Sequence, residues 1–202
     1  MTIKFRTVKG VSVSNIKGIH EAFCKTERGF LVNVSAENIL TFIFEFLEMQ
    51  NDMMFFVLEL PCTRDEESKL RKDDRAPFHK NIYYLDWLGV QAAKDLLIKY
   101  GDILINDGMS GFGFGTPHGE TEIFVSPYKI INLFVSNPSD YLSIFKKMGI
   151  IQEDRIVTMR SRIDQDHPGT LTLYKKGLDD VYKVCEDLRV NGLYFGKTVE
   201  SY

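Results

Sequence analysis

Between Ser35 and Met49 the chain places Ile39, Leu40, Phe42, Ile43, Phe44, Phe46 and Leu47 so densely that a helix there has almost no polar side. Such a helix must be buried on most sides. The next apolar run, Met53–Leu58, has no alternation. It reads as a central strand covered on both faces. Neither segment suits an open helical hairpin or a disordered chain, so a layered α/β core is required.

The rest of the chain supplies partners for that core. Ser35 caps the helix predicted over 36–49. A second helix is predicted over 89–100, with Val90, Ala93, Leu97 and Tyr100 on one stripe. A third begins at Asn137-Pro138, with Asp140 near its positive end, and stops at Gly149. Its inward stripe is Tyr141, Ile144, Phe145 and Met148. A fourth spans 178–190, with Asp179 and Asp180 in its first turn and Asn191-Gly192 as its stop. Strands are predicted at 30–34, 53–60, 82–85, 128–135, 155–163, 171–174 and 193–199, where β-branched and aromatic residues concentrate. Segments 3–8 and 122–125 are further strands, and 103–105 is strand or helix continuation.

The order strand, helix, strand, strand, helix, strand therefore occurs twice. VSAENILTFIF (34–44) and VSNPSDYLSIF (135–145) share their first two and last two residues. A βαββαβ order is the ferredoxin-like arrangement. The expected fold is α+β, with two packed βαββαβ halves forming one unit, 1–107 and 122–202, joined by the glycine-rich connection 108–121. A single larger mixed sheet uses the same elements equally well. The insert RDEESKLRKDDR (64–75), with five basic and five acidic residues, reads as a solvated mobile loop.

Charge and cysteine usage narrow the function classes. With 25 basic against 28 acidic residues the chain lacks the basic footprint of a nucleic-acid binder. A local cluster of Lys146, Lys147, Arg155, Arg160 and Arg162 reads as a solvated surface. Cys24, Cys62 and Cys185 are odd in number and scattered, unlike a disulfide framework or a zinc site. The first residues alternate like a strand and lack the apolar block of a signal peptide. No run is long enough to span a bilayer. The expected compartment is cytoplasmic, with no membrane, metal or cofactor.

The most unusual stretch is Ile105–Glu122, in which Gly108, Gly111, Gly113 and Gly115 interleave with Phe112 and Phe114. Its spacing departs from both phosphate-binding patterns, and no lysine follows. Three readings stand for Gly108–Gly115: a ligand-binding loop, a display of Phe112 and Phe114 as aromatic anchors for a partner, or a structural connection with both rings in the core. His118 and Glu120 form an H-x-E pair, but the downstream cysteines of zinc deaminases are missing. His20, His79 and His167 have no companion at metal-ligand spacing. Glu59 interrupts the most apolar strand on the face of Phe55 and Val57. It either pairs with a nearby Lys or Arg, or joins Asp86 and Asp107 as a carboxylate pair.

The segments FFVLELP (55–61), FHKNIYYLDW (78–87), LLIKYGDILINDGMSGFGFG (96–115) and EIFVSPYKIINLF (122–134) resemble an uncharacterised family of bacterial cytosolic proteins. The resemblance covers the central half of the chain. In size, acidity and lack of catalytic motifs the sequence is also similar to immunity proteins of bacterial toxin systems, which bind a toxin domain and block it. That likeness implies a non-enzymatic protein-binding module. Its contacts are then Phe112, Phe114, His118 and Glu120, with loop 64–75 steering encounter. The alternative is a small-molecule-binding domain or hydrolase using Glu59, Asp107 and His118. A homodimer joined through an edge strand is a third reading.

Overall fold

A computed structural model describes residues 5–117 and 119–201. Among the described residues five α-helices and eleven strands show the α+β class. The strands are β1 (Val11–Val13), β2 (Ala22–Thr26), β3 (Gly29–Asn33), β4 (Met54–Pro61), β5 (His79–Leu88), β6 (Gly111–Gly115), β7 (Thr121–Val125), β8 (Ile131–Val135), β9 (Ile151–Gln152), β10 (Gly169–Leu171) and β11 (Tyr194–Glu200). The helices are α1 (Ile39–Glu48), α2 (Arg64–Leu70), α3 (Val90–Asn106), α4 (Pro138–Met148) and α5 (Val181–Arg189).

Nine strands form one continuous sheet in the order β11-β5-β4-β6-β7-β8-β3-β2-β9, and β1 pairs with β10 separately. Every contact in the large sheet is antiparallel except β2 with β9. The two ferredoxin-like halves are therefore not formed. In the first supposed half β3 is separated from β4 and β5 by β6, β7 and β8, which lie outside that half, far from the interleaved position that a split βαβ unit demands. The expected connection 108–121 lies inside the sheet.

α1 shows why one face must be thickly covered. Its Ile39, Phe42, Ile43, Phe46 and Leu47 are all buried, and they share a core with Tyr100 and Leu104 of α3, Phe145 of α4 and Val184 of α5. Phe145 stacks on Phe23 of β2 at 3.8 Å, fastening α4 to the far end of the sheet. The Asn137-Pro138 start and the left-handed Gly149 stop of α4 occur as expected. Residues 103–105 continue α3 as helix.

β6 is the least expected strand. Phe112 and Phe114 point into the helix-covered core at 0% exposure, facing Leu58 and Phe56 of β4. Gly111, Gly113 and Gly115 point to the other face, where close approach forbids side chains. A Cβ on Gly111 would stand 2.7 Å from the Phe124 ring, and one on Gly115 would stand 2.7 Å from the Phe55 ring. The glycines thus let two aromatic rings lie flat on the sheet, replacing the area their own side chains do not bury.

β5 carries one residue more than β4 near its end. Met54 faces Leu88 while Phe56 faces Leu85, and the bulge between them holds Trp87 at φ 63. Such bulges ordinarily reserve the left-handed position for glycine. Segment 155–163, expected as a strand, is an irregular loop ending in a short 3-10 turn at Arg160–Arg162. Reciprocal bonds between Thr158 and Ser161 shape it, and Ile156 and Val157 close over β2 and β3.

Candidate functional site

A cleft of about 1180 Å³ opens beside α2. Its floor is the end of β4 and the start of β5, with Glu59, His79 and Lys80. One wall is α2 with the turn after it, and the opposite wall is Ser126–Tyr128 with Arg160 beyond. The chain makes α2 from local signals: Thr63 and Glu66 form a reciprocal capping box, and Asp65, Glu66 and Glu67 sit at the positive end of the helix. The segment expected as a mobile loop is thus helical over its first seven residues. After it, Arg71 donates to the carbonyls of Asp74 and Ala76 and lies over the Phe78 ring at 4.2 Å.

The charges on the floor are paired. Lys80 Nζ donates to Glu59 Oε2 at 2.6 Å, so Glu59 takes the ion-pair alternative. Glu67 accepts from the His79 backbone N–H at 2.5 Å and lies 3.1 Å from His79 Nδ1. The rim charges are not all paired. The side chains of Arg64, Lys72 and Arg160 are exposed and have no hydrogen bond or ion pair among the described residues. Against them stands Asp74, the one lining carboxylate in the same condition. The far wall carries Tyr128 and Lys129 at φ 67 and 54. Two consecutive side-chain-bearing residues in the left-handed region cost of order 1–3 kcal/mol each.

Behind that wall Lys129 is 2% exposed and donates to the Ser110 carbonyl at 3.0 Å. Burial pushes its ammonium down to about 8, with Asp107 acting in the opposite sense. Between about 8 and the unperturbed 10.5 the unfolded chain holds a proton that the folded chain has released. Stability from this group therefore rises with pH across that window and is lost as pH falls through 8. Cys62 acts oppositely: burial first, then Glu66 and Glu67, push its thiol up to about 11. The clean measurement is a difference. The stability of wild type minus that of Lys129→Met should climb by about 3 kcal/mol over the window. A flat difference would show that Lys129 keeps its ordinary pKa and stays protonated across the window in the folded protein.

Of the expected hydrolase residues, Glu59 lines the cleft and Asp107 does not. Asp107 is fully buried, and its carboxylate accepts the backbone N–H groups of Met109, Ser110 and Tyr174. It is a structural cap, so no Glu59–Asp107 pair exists. Asp86 is also away from the cleft, accepting the Tyr194 hydroxyl. His118 lies outside the described residues.

The expected partner contacts are likewise dispersed. Phe112 and Phe114 are core residues and cannot present a surface without unfolding β6, because their rings point into the helix layer. Glu120 is exposed on the β6–β7 turn, apart from the cleft. The sequence reading missed Arg64, Lys72, Arg160 and Tyr128 as a group. They come from three segments, and only the Thr63-x-x-Glu66 cap was a local signal. All three cysteines are buried and free. Among the described residues no group of three His, Cys, Asp or Glu side chains could hold a metal ion, and no helix is long and apolar enough to cross a membrane.

No family model, curated protein or solved structure matches the chain.

Proposed function

We propose that this chain is a non-enzymatic protein-binding module, acting in the manner of a toxin-neutralising immunity protein, and that the cleft beside α2 receives an acidic segment of the partner. One observation carries the reading: the cleft is rimmed by Arg64, Lys72 and Arg160, three cations left without partners among the described residues. Its volume of about 1180 Å³ lies above the roughly 300–1,000 Å³ usual for small-molecule sites. Unpaired rim cations steer an acidic partner and set its orientation. The partner-contact role first assigned to Phe112 and Phe114 passes to these residues.

The test compares wild type with Arg64→Glu/Lys72→Glu/Arg160→Glu as baits in native-cell lysate. All three positions are exposed, so each single change should alter stability by no more than about 0.5 kcal/mol. A stoichiometric partner held by wild type should be lost on the reversed protein, and wild-type binding should weaken steeply with salt. Equal capture by both baits would sink the cleft assignment.

A small-molecule site is the second reading, favoured by the strained Tyr128–Lys129 wall. Thermal-shift screening with anionic metabolites separates the two. A stabilising hit abolished by Lys80→Met would favour the small molecule.

A further inference from the structure

On the opposite end of the same sheet face is a smaller pocket of about 330 Å³, lined by Met54, Phe55, Tyr84, Asp86, Trp87, Pro117 and Tyr194. Its aromatic wall is set by strand register. Tyr84 of β5 faces Tyr194 of β11 directly, and Phe55 of β4 lies diagonally across. The Phe55 and Tyr84 rings are 6.0 Å apart at 70°, and Tyr84 and Tyr194 are 6.1 Å apart at 37°. Trp87, carried on the bulge, adds a fourth ring that is 76% exposed.

The charge there has one sign. Among the described residues Asp86 is the only charged one lining the pocket. One of its oxygens accepts the Tyr194 hydroxyl at 2.9 Å, fixing that ring. Burial first, then the carboxylates of Glu59 and Glu122, hold the Tyr84 phenol above its usual range. No described Lys or Arg lines the pocket.

The backbone gives an independent pointer. Trp87 keeps a left-handed φ of 63 in a bulge position that suits glycine, yet its ring contributes little to the core. A bulky residue there is a genuine outlier, and strain of this kind gathers at ligand clamps.

We infer that Phe55, Tyr84, Trp87, Tyr194 and Asp86 form an aromatic box for an alkylated ammonium group. A cation is attracted to a ring face when it lies within about 6 Å of the centroid. Phe55, Tyr84 and Tyr194 are adjacent rings with Trp87 beside them in one lining, so several aromatic groups border a single pocket, and Asp86 supplies the counter-charge. The volume suits a single quaternary ammonium head with its methyl groups. The head can belong to a free metabolite of the choline type or to a trimethylated lysine side chain. The site is distinct from the cleft beside α2 and does not depend on it.

Trp87 is the chain's single tryptophan, so its emission reports on this pocket alone. Titration with choline should change that emission saturably. The neutral isostere 3,3-dimethyl-1-butanol should bind at least roughly tenfold more weakly, since it keeps the shape and loses the charge. Tyr84→Leu and Asp86→Asn should each weaken choline binding severalfold. Trp87→Gly, which suits the bulge, should melt no lower than wild type while losing choline binding by calorimetry. Parallel titrations with a trimethyl-lysine peptide and its unmodified form identify the source. Tighter binding by the trimethylated peptide assigns a protein side chain, and tighter binding by choline assigns a metabolite. Absence of saturable binding by either, equal affinity for the neutral isostere, or undiminished binding by Trp87→Gly overturns the assignment.

Discussion

Replacing Phe112 and Phe114 together by alanine leaves a chain without a cooperative unfolding transition. Both rings are fully buried. Phe114 packs on Phe56 with centroids 5.2 Å apart, and Ile123 and Val125 of β7 flank the pair on the next strand. A phenylalanine-to-alanine change in such a core costs about 3–5 kcal/mol. A domain of this kind has about 5–15 kcal/mol in total. The two sites share neighbours, so their costs do not add simply, but together they take most or all of the stability. Each single variant should still unfold in urea as one transition with a lowered midpoint. Near-UV circular dichroism of the double variant should lose its aromatic fine structure. A double variant with wild-type stability would show that the rings are not core residues and would revive the anchor reading.

Asp107→Ala should be nearly as damaging, although it removes only a few atoms. The carboxylate closes the turn after α3 by accepting from Met109 and Ser110, and it reaches residue 174 through the Tyr174 N–H. It is also the charge that offsets the buried Lys129 ammonium. Its loss orphans three backbone donors and leaves a buried cation uncompensated, a combination worth about 3–5 kcal/mol. The damage should depend on the lysine. In Asp107→Ala/Lys129→Met the cation is gone, and about 0.5–3 kcal/mol of the loss should return as a coupling energy. Chemical denaturation of the four proteins in the cycle measures it. Strict additivity would mean that Asp107 acts only through backbone caps.

These two sites show what the sequence could and could not reveal. α4 was legible because its start and stop are spelled locally, by Asn137-Pro138 and Gly149. β4 was legible because an apolar run needs no partner to be recognised. α2 was missed because its charge suggested a solvated loop, although the Thr63–Glu66 box was present. Segment 155–163 misled in the other direction. Its Ile156, Val157 and Ile163 suit a strand, but the Thr158–Ser161 turn takes their backbone elsewhere. The doubled element order was real as a list and silent about pairing, which is decided by contacts far apart in the chain. The same limit hid both concavities. Glu59 and its need for a cationic partner could be read from one strand. The convergence of Arg64, Lys72 and Arg160, or of Phe55, Tyr84 and Tyr194, exists only after the sheet has assembled.

That assembly has an order imposed by connectivity. The outermost strand, β11, docks on β5, and its Tyr194 bonds to Asp86 from 108 positions further along the chain. At about 5–20 residues per second, a ribosome takes on the order of 5–20 s to cover that interval. During it the outer edge of β5 is an open row of backbone donors and acceptors with nothing to pair with. Such a row is a template for any neighbouring strand, including β5 of a second nascent copy on the same message. Crowded synthesis of this chain should therefore favour cross-pairing between copies, and slower initiation should raise the yield of correctly closed sheets.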